Sequence, residues 1–197
     1  MNDPTSPPLA SPRPRHAEST RAAILEAAVR QFAQLGYDNA TLRDIAAQAG
    51  SDVALVARYF GGKEGLFVEA LKASIGSDKL RAWSHETFAQ DVAVMMADGP
   101  RDESHTRGFQ FLLRAATSPT TAPLLNLAVQ ERFLEPISDW LGGADSRARA
   151  RVLAASFIGL LVERLIRGGA LAGREREVFM ERVTTMIGAL VADGRDA

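Results

Sequence analysis

The stretch from Thr41 to Lys63 holds side chains suited to contacting DNA. Arg43 and Lys63 can each neutralise a phosphate, and Thr41, at the start of a helix, can meet the same backbone. Arg58 is the only long hydrogen-bond donor between Val53 and Phe60, so it is our candidate for contact with a guanine or a phosphate. Tyr59 offers a hydroxyl beside it. These residue types predict phosphate binding with limited reading of bases.

Two short helices joined by a tight turn would position these side chains. Thr41 is a favourable N-cap, and the residues that follow it place apolar side chains at i, i+3, i+4 and i+7, namely Leu42, Ile45, Ala46 and Ala49. Gly50 can take the left-handed conformation that ends a helix. Asp52 is the next N-cap. The pattern is that of a helix-turn-helix.

The second helix should face outward along most of its length. Val56 and Phe60, four residues apart, are expected to anchor it to the first helix. The surface candidates are Asp52, Val53, Ala54, Leu55, Ala57, Arg58 and Tyr59. The apolar members could contact thymine methyl groups, and Leu55 could equally belong to the core. Such a helix is suited to the major groove of DNA.

Residues Ala54 to Leu66, with the pattern Ala-Leu-Val-x-Arg-Tyr-Phe-Gly-x-Lys-Glu-x-Leu, follow this helix-turn-helix directly. The combination resembles the N-terminal domain of the tetracycline-repressor (TetR) family of transcriptional regulators, over about residues 19–67. The resemblance implies a homodimer, a double-stranded DNA operator and a small-molecule effector. It also implies that the first helix completes a three-helix unit and that the fourth links effector to DNA.

Three positions depart from the pattern of that family. Ser51 stands where an apolar residue is usual, Asp52 where a serine often caps, and Ala57 where a tyrosine commonly reaches the DNA backbone. Asp52 can still cap its helix. The absence of a tyrosine at 57 increases the importance of Arg58 and Tyr59 for binding.

The spacing of apolar residues along the chain predicts an all-α fold. A Pro-rich arm over residues 1–16, predicted to be disordered, precedes a helix from Glu18 or Ser19 to Leu35 that Gly36 closes. A fourth helix starts near Gly62 and ends or bends at Gly76. Five more are expected over residues 85–96, 103–117, 121–141 with a kink at Pro136, 146–167 and 174–192. We expect a DNA-binding domain over 17–62 and a regulatory domain over 63–197.

The regulatory domain should provide both an effector site and a dimer interface. By the resemblance, a cavity within about residues 63–141 is expected to bind an apolar or aromatic molecule, with candidate lining residues that are apolar: Phe88, Val92, Met95, Phe109, Leu113, Leu125, Val129, Phe133 and Phe157. Each of these could instead be a core residue. The last two helices, within about 146–192, carry wide apolar stripes and small residues. They predict a four-helix dimer interface, unless the stripes are buried within one chain.

Composition excludes several other classes of protein. The 197 residues contain no cysteine and only three histidines, which lack the spacing of metal ligands, and there is no phosphate loop or nucleophile elbow. We therefore expect no enzyme activity, metal or cofactor. The net charge of −1 argues against a general nucleic-acid coat, and no apolar run predicts a membrane span or signal peptide, so a cytoplasmic location is expected. The alternatives are a helical interaction module without DNA binding and an activator of the TetR type.

Overall fold

The computed structural model describes residues 14–75, 84–98 and 103–192, with side chains described for 17–75, 84–98 and 106–192. These residues form helices and no strand: α1 (Pro14–Asn39), α2 (Leu42–Gln48), α3 (Val53–Phe60), α4 (Lys63–Ser74), α5 (Phe88–Asp98), α6 (Glu103–Thr117), α7 (Ala122–Val129), a π-helical segment (Gln130–Leu134), α8 (Glu135–Leu141), α9 (Ser146–Arg167) and α10 (Gly173–Ala192). The predicted all-α class is confirmed. None of the described helices is long and apolar enough to cross a membrane.

Helices α1, α2 and α3 enclose one small core, as their apolar spacing predicts. The side chains that they bury are Ile24, Ala28 and Phe32 of α1, Ile45 and Ala46 of α2, and Val56 and Phe60 of α3. Helix α4 adds Leu66, Phe67, Ala70 and Leu71 to the same core. Burial of each large side chain contributes about 1.5–3 kcal/mol, so this core holds the short helices α2 and α3 in place.

Helix α1 differs from its predicted bounds at both ends. It begins at Pro14, so residues 14–16, predicted to end the disordered arm, are helical, and residues 1–13 lie outside the described residues. Gly36 interrupts α1 with φ 78° and ψ 175°, as its predicted role as a helix end requires, and a further turn runs to Asn39. The predicted end or bend at Gly76 also lies outside the described residues. Helix α5 begins at Phe88 rather than at residue 85.

The predicted helix over residues 121–141 is divided into three segments. Helix α7 continues into the π-helical segment, where the N–H of Glu135 pairs with the carbonyl of Gln130, five residues back. Pro136 follows immediately and has no N–H to give to the carbonyl of Arg132. The wider π turn therefore lies directly before the proline, which accounts for the predicted distortion at this point.

Three aromatic rings join the DNA-binding end of the chain to the regulatory helices. Phe32 of α1, Phe67 of α4 and Phe111 of α6 are buried. Their ring centroids are 4.9 Å apart for Phe32 and Phe67, and 5.1 Å apart for Phe67 and Phe111. Edge-to-face pairs at such distances stabilise a fixed geometry. Helices α1 and α4 are therefore packed directly on α6.

The last helices are joined by a buried arginine. Helix α5 packs on α10 and α8 packs on α9. Arg149 of α9 is only 7% exposed and donates to the carbonyl of Leu190 at 3.1 Å and to the carbonyl of Gly142. Because a buried cation needs such acceptors, Arg149 fixes α9 against α10 and the end of α8.

Candidate DNA interface

Helix α2 begins with a reciprocal cap that leaves its first turn at the surface. The Thr41 hydroxyl accepts from the backbone N–H of Asp44 at 3.1 Å and donates to the Asp44 carboxylate at 2.6 Å. A threonine N-cap paired with an acid three residues later satisfies helix-start donors. Thr41 and Arg43 are both exposed, so the two predicted phosphate contacts lie on an accessible surface.

The turn between α2 and α3 is closed by backbone hydrogen bonds. Gly50 has φ 61°, and the N–H of Ser51 donates to the carbonyl of Ala46 at 2.9 Å. The Asp52 carboxylate accepts from the N–H of Ala54 at 2.7 Å and so caps α3. Both predicted caps and the glycine turn are thus present in the structure, and they fix the direction in which α3 leaves the domain.

Helix α3 turns one face to solvent and one to the core. Val53 is 44% exposed, and Ala54, Ala57 and Arg58 are exposed as well. Leu55 and Tyr59 are half-buried and pack against the core, so their predicted place on the outward surface is only partly correct. The outward face is apolar except for Arg58.

Arg58 rests on its neighbour in this structure. Its Nη2 atom donates to the hydroxyl of Tyr59 at 3.2 Å, and its guanidinium carbon lies 5.0 Å from the centre of the Tyr59 ring. An exposed cation–π contact is worth about 0.5–1 kcal/mol, which a hydrogen bond to guanine or phosphate can replace. The side chain is therefore held close to the helix and can extend at small cost.

Lys63, at the start of α4, contacts the last turn of α1. Its Nζ atom donates to the backbone carbonyl of Asp38 at 3.3 Å and lies 4.7 Å from the centre of the Tyr37 ring. The pKa of the Tyr37 phenol is raised, mainly by burial and to a smaller extent by the negative charges of Glu64 and Asp38. The phenol therefore stays neutral. An ammonium group has three donors, so two remain available beside the bond to Asp38. Tyr37 was not among the residues that the sequence analysis singled out, so this contact was not predicted.

Seven of the nine predicted effector residues lie in or beside the hydrophobic core, and Phe109 and Leu113 do not belong to it. Phe88, Val92, Phe133 and Phe157 are buried, and the other five (Met95, Phe109, Leu113, Leu125 and Val129) are half-buried. The rings of Phe133 and Phe157 meet edge to face with centroids 6.3 Å apart. The Phe88 ring lies 4.7 Å from that of Trp140.

A cavity of about 250 Å³ lies elsewhere, between the end of α1 and helices α4 and α6. None of the nine predicted effector residues lines it. Its lining consists of Phe32, Leu35, Gly36, Tyr37, Asp38, Asn39, Phe67, Phe111, Arg114, Ala115, Ser118 and Thr121. Sequence reasoning missed it because its walls come from segments about eighty residues apart, as in the bond from Arg114 to the carbonyl of Gln34, and no local pattern signals that packing.

Capped helices α2 and α3, packed on α1 and followed by the further helices α4 to α10, define a helix-turn-helix DNA-binding protein. Comparison with known proteins gives the family. Residues 24–70 match the family model of bacterial regulatory proteins of the tetR family, and residues 86–191 match the model of the tetracyclin repressor-like C-terminal domain. The chain belongs to the TetR family of transcriptional regulators, as its sequence resemblance indicated.

Individual relatives agree with this assignment. The HTH-type transcriptional regulator BetI of Agrobacterium fabrum is 35% identical over 136 residues, which are 68% of this chain and 62% of BetI. The chain thus spans less than two thirds of that relative. The structure of NalD from Pseudomonas aeruginosa has a TM-score of 0.61 at 23% identity, with 86% of this chain and 96% of NalD covered. FadR of Bacillus halodurans has a TM-score of 0.61 at 18% identity, with 89% and 100% covered. These two likenesses establish the fold.

Proposed function

We propose that this protein is a homodimeric, cytoplasmic transcriptional repressor that binds a palindromic operator and is released by a small apolar or aromatic molecule. Residues 17–62 would be its DNA-binding domain and residues 63–197 its regulatory domain. The observation that carries the proposal is the outward face of α3, on which Val53, Ala54, Ala57 and Arg58 are exposed while Val56 and Phe60 hold the helix to the core.

A stripe on α9 supports the dimer. Exposed or half-buried small and apolar residues recur there at alternating steps of three and four, namely Val152, Ala155, Gly159, Val162 and Ile166. Ile166 is 80% exposed and Val152 is 51% exposed. On the same helix, Leu153 and Phe157 are buried within the chain. An apolar stripe of this period, facing away from its own core, is typical of a helix that packs against a partner helix.

The dimer would determine the regulatory mechanism. Two α3 helices about 34 Å apart can enter successive major grooves of B-DNA. An effector that binds better to a conformation with another spacing would weaken operator binding by its difference in affinity for the two conformations. Phe88, Val92, Met95, Phe109, Leu113, Leu125, Val129, Phe133 and Phe157 remain the proposed lining of its site.

Selection of binding sites from fragmented genomic DNA by the purified full-length protein tests operator binding. We expect recovery of a short inverted repeat. Arg58→Ala should weaken binding to that repeat more than binding to random DNA, because a base contact is worth about 1–3 kcal/mol of discrimination. Recovery of no specific sequence by folded protein would contradict the proposal, and equal loss on both DNAs would contradict base reading by Arg58.

Sedimentation of two charge variants tests the dimer. Ile166→Glu places a carboxylate on the α9 stripe and should give a monomer with weakened operator binding. Leu127→Glu is the matched control, because Leu127 is also an exposed apolar side chain, at 59%, but lies on α7. A wild-type monomer, or equal behaviour of both variants, would count against the α9 interface.

Calorimetry tests effector release once an operator and an effector are known. By linkage, operator DNA must lower the affinity for the effector by the same factor by which the effector lowers the affinity for DNA. Independent binding of the effector and the operator would refute this mechanism.

A reporter gene controlled by the operator shows whether the protein represses or activates transcription. Higher expression in the presence of the protein would indicate an activator.

A further inference from the structure

The cavity at the end of α1 has an apolar floor and a charged rim. The buried rings of Phe32, Phe67 and Phe111 lie at its base. Arg114 of α6 and Asp38 of the turn before α2 are exposed at its edge. A concave site with aromatic walls and few polar groups is the usual form of a small-molecule site.

Arg114 has donors available for a ligand. Its Nη1 atom donates to the carbonyl of Gln34 at 2.8 Å, and the same guanidinium lies 3.8 Å from the position that a Cβ atom would occupy at Gly36. Within the described part of the chain, Arg114 makes no ion pair. Its remaining N–H groups can therefore bind a carboxylate in the paired geometry that arginine favours.

The size of the cavity limits the ligand. A cavity of about 150 Å³ lined by apolar side chains holds a benzene molecule. The volume of about 250 Å³ here therefore has room for one aromatic ring and one small substituent.

The balance of charge favours an anion over a cation. Asp38 is the acid of the cavity lining, and the Lys63 ammonium group, which donates to the backbone carbonyl of Asp38 at 3.3 Å, adds a positive charge beside the same turn. The face of the Tyr37 ring in the cavity wall already holds the Lys63 ammonium group, 4.7 Å from the ring centre, so it does not offer a site for a second cation. Arg114 is left as the charged group best placed to bind a ligand.

We propose that this cavity binds a small aromatic carboxylate, with its ring against the exposed Leu35 and half-buried Tyr37 in the cavity wall and its carboxylate on Arg114. The site is separate from the nine residues proposed to line the effector pocket. It adjoins the turn of residues 36–39 that precedes the N-cap of α2, so an occupant would contact both the DNA-binding domain and α6.

Calorimetric titration of the full-length protein with benzoate, benzamide and benzamidine tests the proposal. The three probes share a ring and differ in charge. Benzoate should bind with a Kd of about 0.1–1 mM, and the other two at least about tenfold more weakly. Arg114→Gln should weaken benzoate binding about tenfold or more, whereas Arg174→Gln, a change at an 80% exposed arginine outside the cavity, should leave it unchanged.

A second variant separates this cavity from any other site. Ser118→Leu adds volume at the cavity wall and should abolish benzoate binding in a protein whose helical circular dichroism is unchanged. No benzoate binding up to about 10 mM would overturn the proposal. Equal binding of benzamide, or benzoate binding that survives both Arg114→Gln and Ser118→Leu, would also overturn it. Operator binding by the wild-type protein is measured separately, so the outcomes are independent of the proposed repressor function.

Discussion

Lys63→Gln separates the structural contacts of this side chain from its proposed contact with phosphate. The Lys63 ammonium group is bound to the carbonyl of Asp38 at 3.3 Å and to the face of Tyr37 at 4.7 Å, and it lies at the predicted edge of the DNA surface. A structural role and a phosphate contact are compatible, because the group has three donors. The substitution removes the charge, and the glutamine amide ends one atom before the position of Nζ, so the long bond to Asp38 is lost as well.

The two roles have different magnitudes and different observables. The bond to Asp38 is long and exposed, so we assign it about 1 kcal/mol, and the cation–π contact about 0.5–1 kcal/mol. The free energy of unfolding should therefore fall by about 1–2 kcal/mol. Each phosphate contact contributes about 0.9 to the slope of log K against log salt concentration. A dimer loses two contacts, so the slope should become shallower by about 1.8.

Fluorescence anisotropy with a mixed-sequence duplex, from about 50 to 200 mM salt, measures the slope. Urea denaturation measures stability. Arg174→Gln, which removes an exposed charge distant from the DNA surface, is the control and should change neither. If Lys63→Gln lowers stability but leaves slope and affinity unchanged, Lys63 does not contact phosphate and the reasoning is refuted.

Three other substitutions test the fold. Gly65→Ala would place a Cβ atom 1.9 Å from the carbonyl oxygen of Phe60, so urea denaturation should show a loss of about 3 kcal/mol or more; an unchanged midpoint would contradict the close approach of α4 to α3. The Ser51 hydroxyl oxygen is buried without a hydrogen-bond partner in the described part of the chain, so Ser51→Ala should raise thermal stability by about 1 kcal/mol, and a lower Tm would disprove the argument. The hydrogen bond from Arg176 lowers the pKa of Asp98 below the ordinary value of an aspartate. This carboxylate therefore contributes stability above its ordinary pKa, and the contribution is lost as the pH falls through the lowered pKa. Asp98→Asn should show a shallower loss of stability in acid denaturation, and an acid transition identical to that of the wild type would contradict this.

The DNA-binding domain could be predicted from sequence because local interactions determine it. The Thr41 cap bonds to Asp44 three residues away, and the Asp52 cap bonds to Ala54 two residues away. The buried residues of α2 and α3 follow the period of a single helix. Each of these interactions joins residues that are only a few positions apart. The sequence therefore predicts the helices, their caps and the turn without knowledge of the rest of the fold.

The direction in which an apolar residue faces was decided by tertiary structure. Phe157 and Ile166 belong to the same helix, yet Phe157 is 6% exposed and Ile166 is 80% exposed. Helical spacing gives the angle between two side chains, but only the packing of α8 and α10 on α9 selects the side that is covered. The period alone therefore could not separate core residues from a surface available to a partner.

Contacts between segments distant in the chain could also not be predicted from the sequence. Lys63 meets Asp38 across 25 residues, and Arg114 meets Gln34 across 80. Both depend on how α1 packs against α4 and α6, and that packing forms a cavity at the end of α1 that none of the predicted effector residues lines. The sequence by itself determined the helices and the DNA-binding motif, because these depend on local hydrogen bonds and on the helical spacing of apolar residues. The tertiary structure decided the cavity and the exposed stripe, because these arise where separate helices meet or fail to meet.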